Sequence, residues 1–189
     1  MLTLSKLGEA EICHLYESRM RQDFPPSELK RLSSILAMVR RDEYDVIGAY
    51  EGEEPVAYAL MYRPKGECVV LLDYLAVYPQ QRGRGVGTMF LARLRAYCHK
   101  SADVLLIECE RPKAAPDEAE ARKRIRFYTQ AGAVLTPVRI WLFGVEYSIL
   151  VLPCGEHIPQ RDWAQQMLML YRQMLPGELY EANVRLIRG

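Results

Sequence analysis

The segment Arg82-Gly83-Arg84-Gly85-Val86-Gly87-Thr88 carries three glycines at alternate positions and two arginines. It lies between the apolar run 69–77 and an amphipathic stretch that starts at Val86. Glycine has no Cβ, so successive backbone N–H groups can point the same way and a ligand can approach the main chain closely. At the start of a helix such N–H groups have no partner and the helix dipole favours negative charge. The pattern therefore predicts an anion site, above all for phosphate.

The spacing of the glycines tests two well-known phosphate loops. A Walker loop requires a Lys-Ser/Thr pair after its last glycine. Thr88 and Met89 follow Gly87 instead, which excludes that loop. A dinucleotide fingerprint requires glycine at its first, third and sixth positions, and Thr88 stands at the sixth position when Gly83 is the first. A nucleotide-binding α/β protein therefore ranks third, behind the two interpretations that follow from the motifs described below.

Two motifs together resemble the GNAT superfamily of N-acetyltransferases. Arg82-x-x-Gly85-x-Gly87, which follows Leu75-Ala76-Val77-x-Pro79, resembles the pyrophosphate loop of that family. About forty residues later, Arg126-Phe127-Tyr128-x-x-x-Gly132-Ala133 resembles the helix that carries the family's tyrosine. The two motifs occur in the family's order and at about its usual separation. The resemblance implies acetyl-CoA as co-substrate and an amine as acceptor.

Composition excludes several other classes of protein. The 189 residues include 25 basic and 24 acidic side chains, so the chain lacks the basic surplus of a nucleic-acid-binding protein. The N-terminus has no signal-peptide core, and no apolar run is long enough to span a bilayer. The five scattered cysteines are typical of free thiols in a reducing compartment and show no metal-ligand spacing. We expect a cytoplasmic protein without a metal, a membrane partner or a nucleic-acid partner.

Helical and strand patterns alternate along the chain. Helices are predicted from Ser5 to about Arg21, after an N-cap at Ser27, from the glycine loop to about His99, and from Pro116 to Gly132. Strands are predicted over 46–50, 56–62, the run ending at 77, 104–110, 134–143 and 147–152. The alternation indicates an α/β layered fold. The resemblance specifies a GNAT-like mixed, mostly antiparallel sheet flanked by helices on both faces.

The resemblance covers roughly residues 1–153, which we interpret as an acetyltransferase domain. Residues 154–189 are predicted to form a C-terminal helical extension packed on it. Its apolar stripe ends at Pro176-Gly177 and a shorter helix to Ile187 follows; the stripe comprises Trp163, Met167, Leu170, Tyr171 and Met174. A homodimer contact and a cover over the acceptor site are the alternatives for this stripe.

The resemblance also assigns roles in coenzyme binding. The pyrophosphate is expected on the backbone N–H groups of the loop, with added contacts from Thr88 and from Arg82 and Arg84, although exposed arginines are as often only solvated. The pantetheine arm is expected to pair with the preceding strand, and the N–H of Val77 to face the thioester oxygen. The expected cofactor-binding residues are Leu75, Ala76, Val77, Arg82, Gly83, Arg84, Gly85, Val86, Gly87 and Thr88.

Acetyl transfer to an amine requires a base for the ammonium and an acid for the departing thiolate. Tyr128 matches the family's tyrosine acid. Candidate bases are Glu108, then Asp73, then Glu110, because a carboxylate inside a predicted central strand needs a reason. A buried structural acid is the alternative role for each of the three.

Acceptor recognition is expected from the first two helices, the segment between them and the last hairpin. Phe24, Glu28, Trp141 and Tyr147 are the candidate residues, with Asp23 nearby in sequence. Acids beside aromatic rings suit a cationic amine, but the identity of the acceptor stays open. The leading hypothesis is acetyl transfer from acetyl-CoA to a primary amine, direct and within a ternary complex. The alternative is a non-catalytic acyl-CoA-binding sensor or scaffold module, and a longer acyl donor stays open.

Overall fold

A computed structural model describes residues 1–187. Arg188 and Gly189, the end of the predicted extension 154–189, lie outside the described residues. The strands are β1 (Leu2–Lys6), β2 (Tyr44–Glu51), β3 (Glu54–Tyr62), β4 (Val69–Val77), β5 (Val104–Glu110), β6 (Val134–Leu142), β7 (Val145–Pro153) and β8 (Val184–Leu186). The α-helices are α1 (Glu9–Leu15), α2 (Arg21–Asp23), α3 (Leu32–Arg40), α4 (Val86–Cys98), α5 (Glu118–Gln130), α6 (Trp163–Met174) and α7 (Gly177–Asn183).

The strands form a mixed eight-stranded sheet in the order β1-β2-β3-β4-β5-β7-β6-β8. This sheet, the helices and the helical C-terminal part confirm the predicted α/β fold. The chain divides into two compact units, residues 1–65 with 72–93 and residues 66–71 with 94–189. None of the helices within residues 1–187 combines the length and the apolar character that crossing a bilayer requires.

In the first unit, β1, β2 and β3 pair antiparallel in sequence order. Most residues of β2 and β3 are buried, as expected of strands covered on both faces. The buried residues Ile35 and Met38 of α3 belong to the same apolar core. The predicted β2–β3 hairpin is therefore confirmed.

Two predicted helices of this unit begin later than expected. Residues 5 and 6 belong to β1, and the helix starts at Glu9, where the Gly8 N–H donates to the Glu11 carboxylate at 2.7 Å. The prediction was wrong because pairing with β2 satisfies the backbone of residues 2–6. Ser27 is not an N-cap either, because α3 starts at Leu32 and residues 24–31 form an irregular segment.

In the second unit, β5, β7, β6 and β8 are neighbours, and each adjacent pair is antiparallel. β5 has the predicted bounds and is buried over its first four residues. α5 contacts β5, and α6 contacts β6 and β8. The apolar stripe of α6 is buried at Met167, Leu170, Tyr171 and Met174.

The predicted shorter helix after Pro176-Gly177 is present, but its predicted end at Ile187 was wrong, because a strand follows it. α7 ends at Asn183, and Val184 to Leu186 pair antiparallel with Leu142 to Ile140 of β6. The N–H of Phe143 donates to the Asn183 carbonyl at 3.1 Å, which fixes the entry into this strand. Residues 184–186 form a strand because they pair with β6, about forty residues earlier in the chain. Local periodicity in the sequence does not reveal such pairing.

Candidate active site

The glycine loop joins β4 to α4 within the first unit. A 3₁₀ turn over Pro79–Gln81 follows β4, and α4 begins at Val86. Gly83 and Gly85 have φ angles of +75° and +76°, the left-handed region in which a Cβ is unfavourable. An ideal Cβ at either position would have no atom within 4 Å, so the positive φ, and not crowding within the protein, is the reason for glycine at both. The loop leaves room for a ligand against its main chain.

The backbone donors of this loop are available. Residues 82–85 form turns, and within the described residues no short, well-aligned backbone hydrogen bond joins the N–H groups of residues 83–88 to a carbonyl. The first helical bond runs from the N–H of Met89 to the carbonyl of Gly85 at 3.1 Å. Six successive N–H groups therefore meet at the N-terminus of a helix thirteen residues long, where the helix dipole favours an anion.

The two loop arginines have different surroundings. Arg82 donates from Nε to the Val77 carbonyl at 3.0 Å, and its Nη2 lies 3.9 Å from Asp23. Arg84 donates to the side-chain oxygen of Gln81 and lies 3.6 Å from Glu51. Their side chains are 61% and 57% exposed, so each guanidinium supports the loop and still faces solvent.

Asp73 is held by two side chains of its own unit. Lys30 Nζ lies 2.7 Å from one carboxylate oxygen, and the Tyr44 hydroxyl donates to the other. The Asp73 side chain is 5% exposed. These contacts tie the irregular segment that contains Lys30 to β4. They fit the structural role for this carboxylate better than the role of a base.

The irregular segment 24–31 is also fixed by Tyr74. Its hydroxyl donates to the Glu28 carbonyl at 2.7 Å and accepts from the Lys30 N–H at 2.9 Å. Burial, with a smaller effect of Asp73, raises the pKa of Tyr74 to about 12. The Phe24 ring packs edge-on against Tyr74, with ring centroids 4.8 Å apart. Phe24 and Glu28, both predicted acceptor residues, therefore lie on a segment held in one conformation.

An acid lies beside these rings. The Asp23 carboxylate accepts from the Tyr58 hydroxyl at 2.8 Å and from Arg19 at 2.9 and 3.2 Å. Burial and the bond to Asp23 raise the pKa of Tyr58 well above its ordinary value. The Arg19 guanidinium stacks over the Tyr78 ring at 4.6 Å. Sequence reasoning missed Arg19, Tyr58, Tyr74 and Tyr78, because residues from three separate elements converge here.

In the second unit, Tyr128 lies on the inner face of α5 near Cys109 of β5. Burial raises the pKa of the Tyr128 hydroxyl, and the neighbouring Cys109 adds to this shift. Burial also raises the pKa of the Cys109 thiol to about 12. Both groups are therefore neutral at physiological pH. The Tyr128 hydroxyl has no hydrogen-bond partner among residues 1–187, so its proton is available to a ligand.

Glu108 points to the other face of β5, since side chains alternate along a strand. Both of its carboxylate oxygens accept from the Tyr171 hydroxyl of α6, at 2.7 and 2.8 Å. Glu110 lies at the end of the strand, 3.8 Å from Arg124 of α5. Sequence reasoning selected Glu108 but treated Tyr171 only as part of an apolar stripe.

The two predicted acceptor residues of the last hairpin occupy different environments. The Trp141 ring is covered by Arg185 of β8, whose guanidinium carbon lies 4.2 Å from the ring centroid. Tyr147 faces Glu110 across the β5–β7 pair. The structure thus places Phe24, Glu28, Asp73 and the loop in the first unit, and Glu108, Tyr128, Trp141 and Tyr147 in the second. No group of three or more His, Cys, Asp or Glu within residues 1–187 has a metal-binding arrangement.

Comparison with protein families identifies the chain. The profile of the acetyltransferase (GNAT) family matches residues 10–132, which include the glycine loop, Glu108 and Tyr128. This protein belongs to the GNAT family and is an acyltransferase. A comparison with curated protein sequences gives no significant match.

Solved structures share the fold. A protein from Bacteroides thetaiotaomicron described as a GNAT-family acetyltransferase has 18% identity and a TM-score of 0.72, over 92% of this chain and 99% of that chain. The yncA protein of Salmonella typhimurium, solved with its cofactor acetyl-CoA, has 18% identity and a TM-score of 0.60, over 85% and 98%. Spermidine N-acetyltransferase from Vibrio cholerae, in complex with CoA and spermine, has 9% identity and a TM-score of 0.63, over 80% and 95%.

Proposed function

We propose that the protein transfers the acetyl group of acetyl-CoA to a primary amine, directly and within a ternary complex. The observation that carries the proposal is the glycine loop at the start of α4, where, among the described residues, the six N–H groups from Gly83 to Thr88 make no well-aligned hydrogen bond to a carbonyl. An anion with several oxygens, such as a pyrophosphate, satisfies such a set of donors. The structures of the Salmonella and Vibrio proteins, solved with acetyl-CoA and CoA, support coenzyme A as the source of that pyrophosphate.

The strand that enters the loop supplies the remaining coenzyme contacts. In this proposal the pantetheine arm pairs with Leu75, Ala76 and Val77 at the end of β4 as an added strand would. The N–H of Val77 donates to the thioester oxygen and stabilises the negative charge that forms on it during attack. The bond from Arg82 to the Val77 carbonyl supports this role by fixing the end of the strand relative to the loop.

Tyr128 acts as the acid in the proposed reaction. When the amine attacks the thioester carbon, the C–N bond forms, the C–S bond breaks and the sulfur leaves as a thiolate, which takes the hydroxyl proton of Tyr128. The nitrogen gives up its second proton to solvent water, and Tyr128 regains a proton from solvent. Burial raises the pKa of this hydroxyl and keeps it protonated until the thiolate forms. Its lack of a partner among the described side chains leaves the proton available for this transfer.

Glu108 is the proposed base. An alkyl ammonium group has a pKa of about 10.4, so it must lose a proton before its nitrogen can attack. Glu108 accepts from a neutral hydroxyl of α6, whereas Asp73 is paired with Lys30 and Glu110 lies near Arg124. The contact with a neutral hydroxyl supports Glu108 as the proposed base, with Asp73 and Glu110 as the alternatives. The proton passes from the ammonium to Glu108, directly or through one water molecule.

The acceptor is proposed to approach the segment that carries Phe24 and Glu28, with Trp141 and Tyr147 as further contacts. The Phe24 ring on this segment suits a cationic amine, because a ring face attracts positive charge. The Asp23 carboxylate already pairs with Arg19. We also propose a cytoplasmic location, because five scattered cysteines are typical of a chain in a reducing compartment.

The proposed function is tested by measuring free thiol from acetyl-CoA in the presence of a panel of amines: polyamines, lysine-containing peptides, peptides with free N-termini and aminoglycosides. The matched control is Tyr128→Phe, which keeps the ring and removes the proton. We expect release that depends on one class of amine and on Tyr128. Tight binding of acetyl-CoA without release for any amine would contradict catalysis and support the sensor alternative.

A further inference from the structure

Helix α6 contributes a polar contact to the strand that carries the proposed base. The Tyr171 hydroxyl lies 2.7 and 2.8 Å from the two carboxylate oxygens of Glu108, 63 residues earlier in the chain. Tyr171 is 3% exposed, so this hydroxyl is held within the protein. α6 lies outside the segment 10–132 that matches the GNAT family. The contact is therefore supplied by a part of the chain beyond the family match.

The two faces of β5 carry different parts of the proposed chemistry. Tyr128 of α5 lies near Cys109, whereas Tyr171 of α6 contacts Glu108, the adjacent residue. Because neighbouring side chains on a strand point in opposite directions, the Cys109 side chain and the Glu108–Tyr171 contact lie on opposite faces of β5. The proposed acid and the proposed base thus belong to opposite faces, and Tyr171 of α6 lies on the face of the base.

A tyrosine hydroxyl suits the task of holding a catalytic carboxylate. It donates one proton, while an ionised carboxylate accepts at about four positions, so a water molecule or an ammonium group can still bind. Fixing the carboxylate in one orientation favours proton transfer, which requires a donor and an acceptor within hydrogen-bond distance.

We propose that Tyr171 is the positioning residue for Glu108, and that α6 is thereby part of the acetyl-transfer machinery. The inference rests on the proposed function. Glu108 takes the proton of the ammonium group, while Tyr171 keeps its own proton and its hydrogen bond throughout. Helix α6 thereby orients the base that takes a proton from the acceptor ammonium group.

The test is a double-mutant cycle with Tyr171→Phe and Glu108→Gln, measured as steady-state thiol release from acetyl-CoA with the amine that supports turnover. We expect Tyr171→Phe to lower kcat about tenfold, the loss of one hydrogen bond to a charged group, and to leave the KM for acetyl-CoA unchanged. In the Glu108→Gln background, the same substitution should lower kcat no further, because the base it positions is absent.

Gln166→Leu is the matched control. Gln166 lies on the same helix, is buried, and donates from Nε2 to Glu67 at 3.0 Å. Loss of this hydrogen bond in Gln166→Leu should lower the melting temperature of the protein without changing kcat. All kinetics are run well below the lowest melting temperature in the set, so that each variant is folded during the assay.

Three results would overturn the inference. Equal losses of kcat in Tyr171→Phe and Gln166→Leu, or additive losses in the double variant with Glu108→Gln, would assign Tyr171 a structural role only. Unchanged kcat in Glu108→Gln would remove the base that Tyr171 is proposed to position, while acetyl transfer itself would stand. Absence of turnover in the wild-type protein with every amine would contradict the proposed function and the inference together.

Discussion

Arg82 donates from Nε to the backbone carbonyl of Val77 at 3.0 Å, so one guanidinium joins the glycine loop to the end of β4. The loop is the proposed pyrophosphate site, and the strand end is the proposed site of the pantetheine arm and of the thioester oxygen. This hydrogen bond therefore ties the proposed pyrophosphate site to the proposed pantetheine site.

Arg82→Lys is expected to raise the Kd for acetyl-CoA about tenfold, because lysine keeps the charge but lacks the planar group that can bond Val77 and a phosphate together. Isothermal titration calorimetry measures this change. Arg93→Lys, an exposed position on α4, is the control and should leave Kd unchanged. Equal affinities in the two variants would show that Arg82 is only solvated.

Gly85→Ala should weaken acetyl-CoA binding by more than tenfold and cost about 1 kcal/mol of stability. The added Cβ strains the left-handed backbone and occupies space beside the donor N–H groups. Gly66→Ala is matched to it, because Gly66 has a φ of +75° and open space around it. Chemical denaturation should show similar destabilisation in both variants. Isothermal titration calorimetry should show weaker acetyl-CoA binding in Gly85→Ala and unchanged binding in Gly66→Ala. A loss of affinity in both, or in neither, would argue against a coenzyme site at the loop.

Tyr128→Phe should lower kcat by about a hundredfold, the range of general acid catalysis, with little change in the Kd for acetyl-CoA. Since burial raises the pKa of Tyr128, the wild-type kcat should show no decline from tyrosine ionisation up to about pH 10. A pH profile of kcat for both proteins checks this. Turnover that survives the substitution would remove Tyr128 from the mechanism.

Cys109→Ala should keep kcat within about twofold, because a buried neutral thiol is not an activated nucleophile. The thiol ionises near pH 9.0 when unperturbed and at about 12 in the folded protein. Between these values the unfolded chain loses the proton first, so the stability from the neutral thiol is present below pH 9 and is lost as pH rises. Relative to Cys109→Ala, the wild-type protein should lose about 1.4 kcal/mol of stability per pH unit in this range.

Urea unfolding of both proteins at several pH values, with a reducing agent present, measures this difference. Parallel stability curves would contradict the assigned burial of Cys109. An acetylated Cys109 detected by mass spectrometry during turnover would contradict direct transfer.

Asp73→Asn is expected to destabilise the protein by about 2 kcal/mol, because it leaves Lys30 without its buried charge partner. Asp42→Asn removes an exposed carboxylate from Lys6 and Arg63 and should cost less than about 0.5 kcal/mol. Chemical denaturation compares the two. A larger effect of Asp73→Asn on kcat than of Glu108→Gln would reverse the proposed order of bases.

The sequence predicts the parts of this protein that local pattern controls. β5 was predicted correctly at 104–110 because an apolar run of strand length ends in turn residues. The glycine loop was recognised because glycines at this spacing let successive backbone N–H groups point the same way. β1 and β8 were missed because short edge strands are defined by partners far away in sequence. The partners of Asp73 and Glu108 lie 29 to 63 residues from them, and only tertiary packing brings those side chains together.

The most direct measurement is the fate of an isotopically labelled acetyl group on acetyl-CoA, followed by mass spectrometry through a single turnover with the amine that supports thiol release. The account predicts that the label moves onto the amine nitrogen while no label accumulates on the protein, and that Tyr128→Phe slows this transfer. Label that stays on coenzyme A, appears as free acetate or is trapped on the enzyme would contradict it.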